Sequence, residues 1–183
     1  MAIKIKGKNI NLREVNVDDA EFILSLRTDP RYNEHLGKTE NNISSQIRYI
    51  EQNLKKKDDF YFIVEAKDRK RFGCIRIYNI KNGIFNYGSW IMIKESPPYF
   101  ALETNFLLLD FAYYYLKLKK TEFEVRKGNS RVVAFHKRMG AKIIHEDDLN
   151  YYFLQTKEDY ENVRKKYSRY TNKNLSCEVE LLH

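Results

Sequence analysis

Three strand-like segments in the middle of the chain constrain the fold more than any other feature. They cover residues 60–66, 72–80 and 84–93, are rich in aromatic and β-branched residues, and are separated by short polar turns. Asn82-Gly83, between the second and third segments, is typical of a two-residue hairpin turn. Strands joined by such short turns pair in antiparallel fashion. The centre of the chain is therefore predicted to be a three-stranded antiparallel meander.

Two helices are predicted between the N-terminus and this meander. Asn16 can cap the first, over residues 17–27, and Ser44 can cap the second, which runs to about Lys57. Before them, apolar and polar residues alternate over residues 3–13, which predicts one or two short strands.

Helices and strands alternate in the second half of the chain. Residues 102–116 have helical spacing and are apolar on more than one face, so we expect this helix to be buried. The remaining predicted elements are a strand at 121–125, a helix at 131–139, strands at 141–145 and 150–155, and a last helix. Thr156 and Asp159 resemble a capping box for that helix. Its apolar stripe consists of Tyr160, Val163, Tyr167 and Tyr170.

Composition excludes several classes of protein. The chain has 183 residues, which suits one domain, and 43% of them are hydrophobic, which is typical of a globular protein. No apolar run is long enough to span a membrane, and the N-terminus lacks the apolar core of a signal peptide. We therefore expect a soluble, cytoplasmic protein. Cys74 and Cys177 have no metal-ligand spacing, so no metal site is predicted.

A net charge of +8 raises the question of an anionic partner. The lysines are spread along the chain, so a diffuse solvated surface is the preferred interpretation. An anionic cofactor or substrate is the next, and nucleic acid is the least favoured.

The segment from Asn129 to Ala141 carries the most specific resemblance. It resembles the helix of the GNAT acetyltransferase superfamily that begins at Asn, ends at Gly and leads into the next strand. The opening Asn11-Leu12-Arg13-Glu14, followed by Asp18-Asp19-Ala20, is similar to the superfamily's first strand and helix, and the likeness covers roughly residues 8–155. The resemblance implies one α/β (α+β) domain with a mixed, mostly antiparallel sheet and helices on both faces. Residues 1–157 would form this domain, and residues 158–183 would be its C-terminal helical extension.

The resemblance also implies a site for acetyl-CoA between two strands that splay apart. A backbone amide of the strand at 84–93 would hold the thioester carbonyl, and amides at the start of the central helix would hold the pyrophosphate. The superfamily's glycine-rich loop is replaced here by the glycine-free segment 96–101, in which Pro97 and Pro98 supply no amides and Ser96 could cap the helix. The candidate cofactor-binding residues are Ile91, Met92, Ile93, Tyr99, Phe100, Ala101, Asn129 and Phe135. Asn129 could equally serve as a helix cap.

Two candidate catalytic residues follow from the same resemblance. His136 occupies the position of a tyrosine that protonates the leaving thiolate in many members, and an imidazole with a pKa of about 6.5 could do the same. The alternative is an exposed helix histidine. Glu103 could act as a general base for the amine, or it could be a first-turn carboxylate favoured by the helix dipole.

The loop between the first two helices indicates the acceptor. Asn33 and His35, with Thr39 and Gln46 before Tyr49, resemble acetyltransferases that modify nucleotide-linked amino sugars for surface glycans. Asn33, His35 and Trp90 are the candidate substrate-binding residues, although Trp90 could be a core residue. The alternatives are acetylation of a protein N-terminus or an antibiotic amine, or a non-catalytic acyl-CoA-binding module. We expect a small-molecule amine as partner, no nucleic acid and no membrane, and the tyrosine stripe of the last helix leaves a homodimer open.

Overall fold

One nine-stranded sheet organises the protein in the computed structural model, which describes residues 2–168 and 178–182. The strands are β1 Ala2–Lys6, β2 Ile10–Glu14, β3 Phe60–Ala66, β4 Arg71–Lys81, β5 Ile84–Met92, β6 Lys120–Arg126, β7 Lys142–Glu146, β8 Asn150–Thr156 and β9 Glu178–Leu182. The helices are α1 Ala20–Thr28, α2 Ile43–Leu54, α3 Pro98–Asp110, α4 Ser130–Arg138 and α5 Lys157–Lys166. In the sheet the strands lie in the order β7-β8-β6-β5-β4-β3-β2-β1-β9.

The predicted meander is confirmed as β3, β4 and β5, which pair antiparallel. Asn82 and Gly83 have φ angles of 54° and 79°, as the turn type favoured in two-residue hairpins requires. The described strands pair antiparallel throughout except for β5 and β6, which are parallel and are connected through α3. The predicted mixed, mostly antiparallel sheet is therefore confirmed.

The parallel pair separates almost as soon as it forms. β5 and β6 pair only at Ile84 with Lys120 and at Phe85 with Thr121. β5 then stays with β4, whereas every residue of β6 pairs with β8. Two side-chain hydrogen bonds link the strands where they separate. The Thr121 Oγ1 donates to the Phe85 carbonyl at 2.9 Å, and the Asn86 Nδ2 donates to the Glu122 carbonyl on β6. A wedge-shaped gap therefore opens between β5 and β6 beyond Phe85.

Helices cover both faces of the sheet, as predicted. α3, α4 and α5 pack on one face in a large core that includes Leu108, Val133 and Tyr160. α1 and α2 pack on the other face in a smaller core that includes Ile23 and Ile50. α3 is buried along most of its length, and it continues into one turn of π-helix at Phe111–Tyr115. The sequence did not predict that turn.

Three predicted helix caps fare differently. Asn16 caps a 3-10 turn that precedes α1, and Asn42, rather than Ser44, caps α2. Ser96 does not cap α3, because its Oγ donates to the Ile93 carbonyl at 2.7 Å and Pro97 is the N-cap residue. Pro98 occupies the first helical position as expected, since proline has no amide to lose there.

α5 is joined to the large core by a buried polar cluster. The fully buried Tyr160 donates its hydroxyl to Asp110 Oδ1 at 2.7 Å, and Arg164 Nε lies 2.8 Å from the same oxygen. The predicted capping box of Thr156 and Asp159 is confirmed. Tyr170 and Cys177 lie outside the described residues. β9 was not predicted and pairs antiparallel with β1.

The Asp110 cluster predicts a measurable contribution of the Tyr160 hydroxyl to stability. Tyr160→Phe should lower the free energy of unfolding by about 1–2 kcal/mol, because a buried hydrogen bond is lost and the Asp110 carboxylate keeps fewer donors. Urea unfolding measures this difference. Tyr115→Phe is the matched control, since Tyr115 is 45% exposed, and it should change stability by less than about 0.5 kcal/mol. Equal effects of the two variants would contradict the prediction.

Candidate active site

A β-bulge interrupts β5 within the wedge. Cys74 pairs with Ile91 and Arg76 pairs with Gly88, so Ile75 alone faces two residues of β5, Ser89 and Trp90. Ser89 has a φ of 48°, a left-handed conformation that is uncommon for residues other than glycine. Bulges of this kind redirect side chains and interrupt the ladder, and they are frequent beside active sites.

The amides after the bulge divide between the two sides of β5. The Ile93 amide donates to the Phe72 carbonyl at 2.9 Å, and Ile91, two residues earlier, pairs with Cys74 in the β4–β5 ladder. Because successive amides along a strand alternate in direction, the Met92 amide points into the wedge. Of the three backbone candidates Ile91, Met92 and Ile93, the structure therefore leaves Met92 available to a carbonyl in the wedge.

The bulge is supported from behind by a fully buried thiol. The Cys74 Sγ donates to the Ser89 carbonyl at 3.4 Å, and the Tyr61 hydroxyl donates to the same sulfur at 3.5 Å. Burial raises the pKa of the Cys74 thiol to about 11, although Tyr61 and Arg27 act to lower it. The sulfur therefore keeps its proton at neutral pH and can donate it to the Ser89 carbonyl.

A pocket of about 400 Å³ opens on the α1 and α2 side of the sheet and reaches the bulge at Ser89. α1, α2, the loop between them and strands β3 to β5 each contribute to its wall. The lining residues are Arg27, Lys38, Thr39, Glu40, Ser45, Gln46, Tyr49, Tyr61, Arg76 and Ser89. The wedge and the pocket therefore meet at one residue, Ser89.

The charged groups of this pocket are mostly cationic. Arg76 forms a two-point ion pair with the buried Asp59, with the Nε to Oδ1 distance at 2.6 Å, and also donates to the Tyr49 hydroxyl. Arg27 Nε donates to Thr39 Oγ1 at 2.7 Å. Glu40 is the carboxylate of the lining.

His136 lies in the wall of the wedge but is not exposed, so the exposed-histidine alternative is wrong. It is 4% exposed, its Nδ1 lies 3.1 Å from the Tyr87 hydroxyl, and its ring packs against Trp90, Phe123 and Phe135. Burial lowers the pKa of His136 to about 3. A neutral imidazole is a weak proton donor, so this geometry does not favour His136 as the acid for the thiolate.

Glu103 lies away from the pocket lining, and the structure gives its carboxylate a different task from general base. It accepts hydrogen bonds from the Asn9 amide at 2.8 Å, the Asn9 Nδ2 at 2.8 Å and the Ile10 amide at 3.4 Å. Glu103 is 3% exposed, and a Cβ at Gly7 would lie only 2.5 Å from its Oε1. The expectation of a base is corrected, because the carboxylate is committed to fixing the β1–β2 turn against α3.

The remaining cofactor candidates lie around the wedge. Asn129 caps α4 by accepting from the Val132 amide at 3.4 Å, which confirms its capping role. Phe135 stacks edge-on against the half-buried Trp90 at 5.3 Å, and the buried Trp90 Nε1 has no acceptor among the described residues. These two rings form a wall of the gap.

The start of α3 offers fewer amides than its sequence range suggested. The Phe100 amide donates to the Pro97 carbonyl at 2.9 Å, and the Phe100 ring packs on Phe72. The Ala101 amide lies at the fourth helical position, where the ladder to Pro97 begins. The Tyr99 amide, at the second position, is left without a helical partner.

The two acceptor-loop candidates do not line the pocket. Asn33 shapes the loop, because its Nδ2 donates to the Thr28 carbonyl at 3.4 Å. His35 reaches the turn after β6, where its Cε1 lies 3.4 Å from the position of a Cβ at Gly128. The loop between α1 and α2 therefore reaches the turn that follows β6.

Sequence reasoning missed the pocket's charged residues. They lie on three separate parts of the chain, α1 (Arg27), the loop after it (Lys38 and Glu40) and β4 (Arg76), and no spacing joins these parts. Ser89 carries no signal of its own either, since nothing in the sequence marks the bulge.

A splayed pair of strands, a bulge in one of them and an adjoining pocket are the features expected of an acyltransferase fold. A model of the acetyltransferase (GNAT) domain family matches residues 9–142. The chain belongs to the GNAT acetyltransferase family and is an N-acetyltransferase.

Solved structures agree with this assignment. FdhC, a nucleotide-linked sugar GNAT, is 32% identical with a TM-score of 0.83, and the match covers 92% of this chain and 98% of that one. A GCN5-related N-acetyltransferase from Brucella melitensis is 15% identical with a TM-score of 0.76, over 93% and 86% of the two chains. The spermidine N-acetyltransferase of Vibrio cholerae, in complex with CoA and spermine, is 16% identical with a TM-score of 0.77, over 84% and 99%. These two similarities show the fold alone.

No curated protein sequence matches the chain. Across residues 2–168 and 178–182, no helix has the length and apolar character needed to span a bilayer. The same part of the chain contains no group of three histidine, cysteine or acidic residues placed to hold a metal ion.

The buried His136 predicts how stability depends on pH. Its pKa is about 3 when folded and about 6.5 when unfolded, so the unfolded chain binds one more proton between these values. Stability should therefore fall as the pH drops below 6.5, by up to about 1.4 kcal/mol per pH unit from this residue. His136→Gln should show a shallower fall in urea unfolding between pH 7 and 4. The exposed His145→Gln is the control and should keep the wild-type slope. Parallel curves for wild type and His136→Gln would contradict the prediction.

The Cys74 support of the bulge predicts an effect on turnover. Cys74→Ala should lower kcat by about tenfold, because losing the hydrogen bond to the Ser89 carbonyl lets the bulge shift, and small displacements of reacting groups are costly. The assay is thiol release from acetyl-CoA with an accepted amine.

Ile63→Val is the matched control, since Ile63 is fully buried in the same small core without a polar contact to the bulge. It should lower stability by about 0.5–1.5 kcal/mol and leave kcat unchanged. Cys74→Ser, which keeps a donor, should recover part of the loss. An unchanged kcat in Cys74→Ala would refute the support role.

Proposed function

We propose that this protein transfers the acetyl group of acetyl-CoA to the amine of a nucleotide-linked amino sugar. The observation that carries the proposal is the meeting of wedge and pocket at Ser89. A thioester in the wedge and an amine in the pocket would meet at the bulge. The similarity to FdhC over 92% of the chain supports the choice of acceptor.

The wedge fits a coenzyme A thioester. The Met92 amide points into it, and the buried Trp90 Nε1, which has no acceptor in residues 2–168 and 178–182, could donate to a ligand carbonyl. The Tyr99 amide at the start of α3 can bind one phosphate oxygen, and the helix dipole favours an anion there. Because Pro97 and Pro98 supply no amides, we expect this chain to hold the pyrophosphate with fewer backbone bonds than a glycine-rich loop would.

The reaction needs an uncharged amine and a stabilised oxyanion. The amine nitrogen attacks the thioester carbonyl carbon, the negative charge on the oxygen is held by the Met92 amide, and the carbon–sulfur bond breaks to release coenzyme A thiolate. The amine loses one proton, and the thiolate gains one.

The charge of the pocket argues against a polyamine acceptor. Asp59 neutralises Arg76, which leaves Arg27 and Lys38 opposite a single lining carboxylate, Glu40. Polyamines carry several positive charges and would be repelled by this wall, whereas the diphosphate of a nucleotide-linked sugar would be attracted.

The cytoplasmic location and a homodimer remain predictions.

The test is an acetyl-transfer screen with thiol release as the readout. The acceptors are nucleotide-linked amino sugars, the corresponding free amino sugars, spermidine, an aminoglycoside and a peptide with a free N-terminus. We expect kcat/KM for a nucleotide-linked amino sugar to exceed that for spermidine by at least about 100-fold, since repulsion and lost phosphate contacts act together. Preference for spermidine, the aminoglycoside or the peptide would overturn the proposal. Binding of acetyl-CoA without turnover of any amine would indicate the non-catalytic alternative.

A further inference from the structure

Arg27 stands apart from the other half-buried arginines of the described chain. Arg13 pairs with Asp19 and Glu65, Arg76 with Asp59, and Arg164 with Asp110. Arg27, in the last turn of α1, has no carboxylate within ion-pair distance in residues 2–168 and 178–182. The contact found for its guanidinium is the bond from Nε to Thr39 Oγ1 at 2.7 Å.

This bond orients the guanidinium and leaves its two terminal nitrogens free for a ligand. A guanidinium presents its donors in a planar fork that matches two oxygens of a phosphate. A half-buried charge without a partner is unfavourable unless another group supplies an opposite charge or hydrogen bonds. Arg27 lines the pocket, so a ligand in the pocket can supply that group.

We propose that Arg27, held by Thr39 and assisted by Lys38, forms an anion subsite that binds the diphosphate of the acceptor. This inference rests on the proposed function and assigns this part of the pocket wall to the phosphates. Ser89, where the amine would react, lines the same pocket.

Two observations support a diphosphate within reach of the bulge. Arg27 and Ser89 line the same pocket, so an anion bound by Arg27 would share one cavity with the bulge. A nucleotide-linked sugar carries its diphosphate one sugar ring away from its amine. Lys38, on the same wall, adds a second cation suited to a group with more than one negative charge. Arg76 cannot take this role as readily, because Asp59 already neutralises it.

The binding test uses UDP, dTDP and inorganic pyrophosphate as probes, titrated by calorimetry in the presence of saturating coenzyme A. The coenzyme keeps the probes out of the wedge, which itself binds a diphosphate. We expect the wild-type protein to bind at least one nucleoside diphosphate, and Arg27→Gln to bind it about 10- to 100-fold more weakly, because charge-assisted hydrogen bonds are lost. Arg27→Lys, which keeps the charge but not the fork, should fall between them.

Lys165→Ala is the matched control, since it removes one positive charge from the exposed face of α5. It should bind the probes as the wild type does, and coenzyme A affinity should be unchanged in all variants. No binding of any probe to the wild type, or equal binding to wild type and Arg27→Gln, would overturn the subsite. Urea unfolding of Arg27→Gln and Arg27→Lys establishes that both are folded.

Kinetics separate this inference from the proposed function. If Arg27→Gln raises KM for a nucleotide-linked amino sugar about 10- to 100-fold and raises KM for the free amino sugar by a much smaller factor, both hold. If the nucleotide-linked sugar is acetylated with an unchanged KM, the subsite fails and the proposed function stands. If no nucleotide-linked sugar is acetylated but Arg27-dependent binding of nucleoside diphosphate persists, the proposed function fails and the subsite stands.

Discussion

The separation of β6 from β5 after two paired residues is the constraint on which the site depends. β6 keeps its full set of backbone bonds because β8 pairs with all seven of its residues. β5 keeps its ladder with β4, so the cost of opening the sheet falls on the groups of β5 that face the gap. A ligand that bonds to those groups recovers part of this cost, which is why a gap in the middle of a sheet indicates a binding site.

The bulge at Ser89 is the place in the gap where we expect the acetyl group to be transferred. It lies in the wedge, reaches the pocket on the other face of the sheet and is held by the buried Cys74 thiol. A left-handed serine is unfavourable on its own, so the surrounding contacts must over-determine it. The proposed transfer from thioester to amine therefore depends on a short segment of β5 whose geometry is fixed by β4.

Local features were predictable from the sequence, and long-range ones were not. Turn chemistry at Asn82-Gly83 and the alternation of the meander gave the β3–β5 unit, since these signals act between neighbours. The gap between β5 and β6 was predicted only from the resemblance of the segment 129–141 to the GNAT superfamily. Position in a helix could not reveal that His136 is buried among aromatic rings, or that the Glu103 carboxylate is committed to a turn 94 positions away. Which arginines lack a carboxylate partner depends on the tertiary fold, so Arg27 could not be singled out.

Amide hydrogen exchange of β5 tests the wedge most directly. No described strand pairs with β5 on the side to which the Met92 amide points, whereas the Ile93 amide bonds to Phe72 on β4. The exchange of both amides is measured by NMR with and without acetyl-CoA. Met92 should exchange fast in the free protein and become protected when acetyl-CoA is added, while Ile93 should be protected throughout. A Met92 amide that is already protected in the free protein, or that acetyl-CoA leaves unprotected, would contradict a thioester site between β5 and β6.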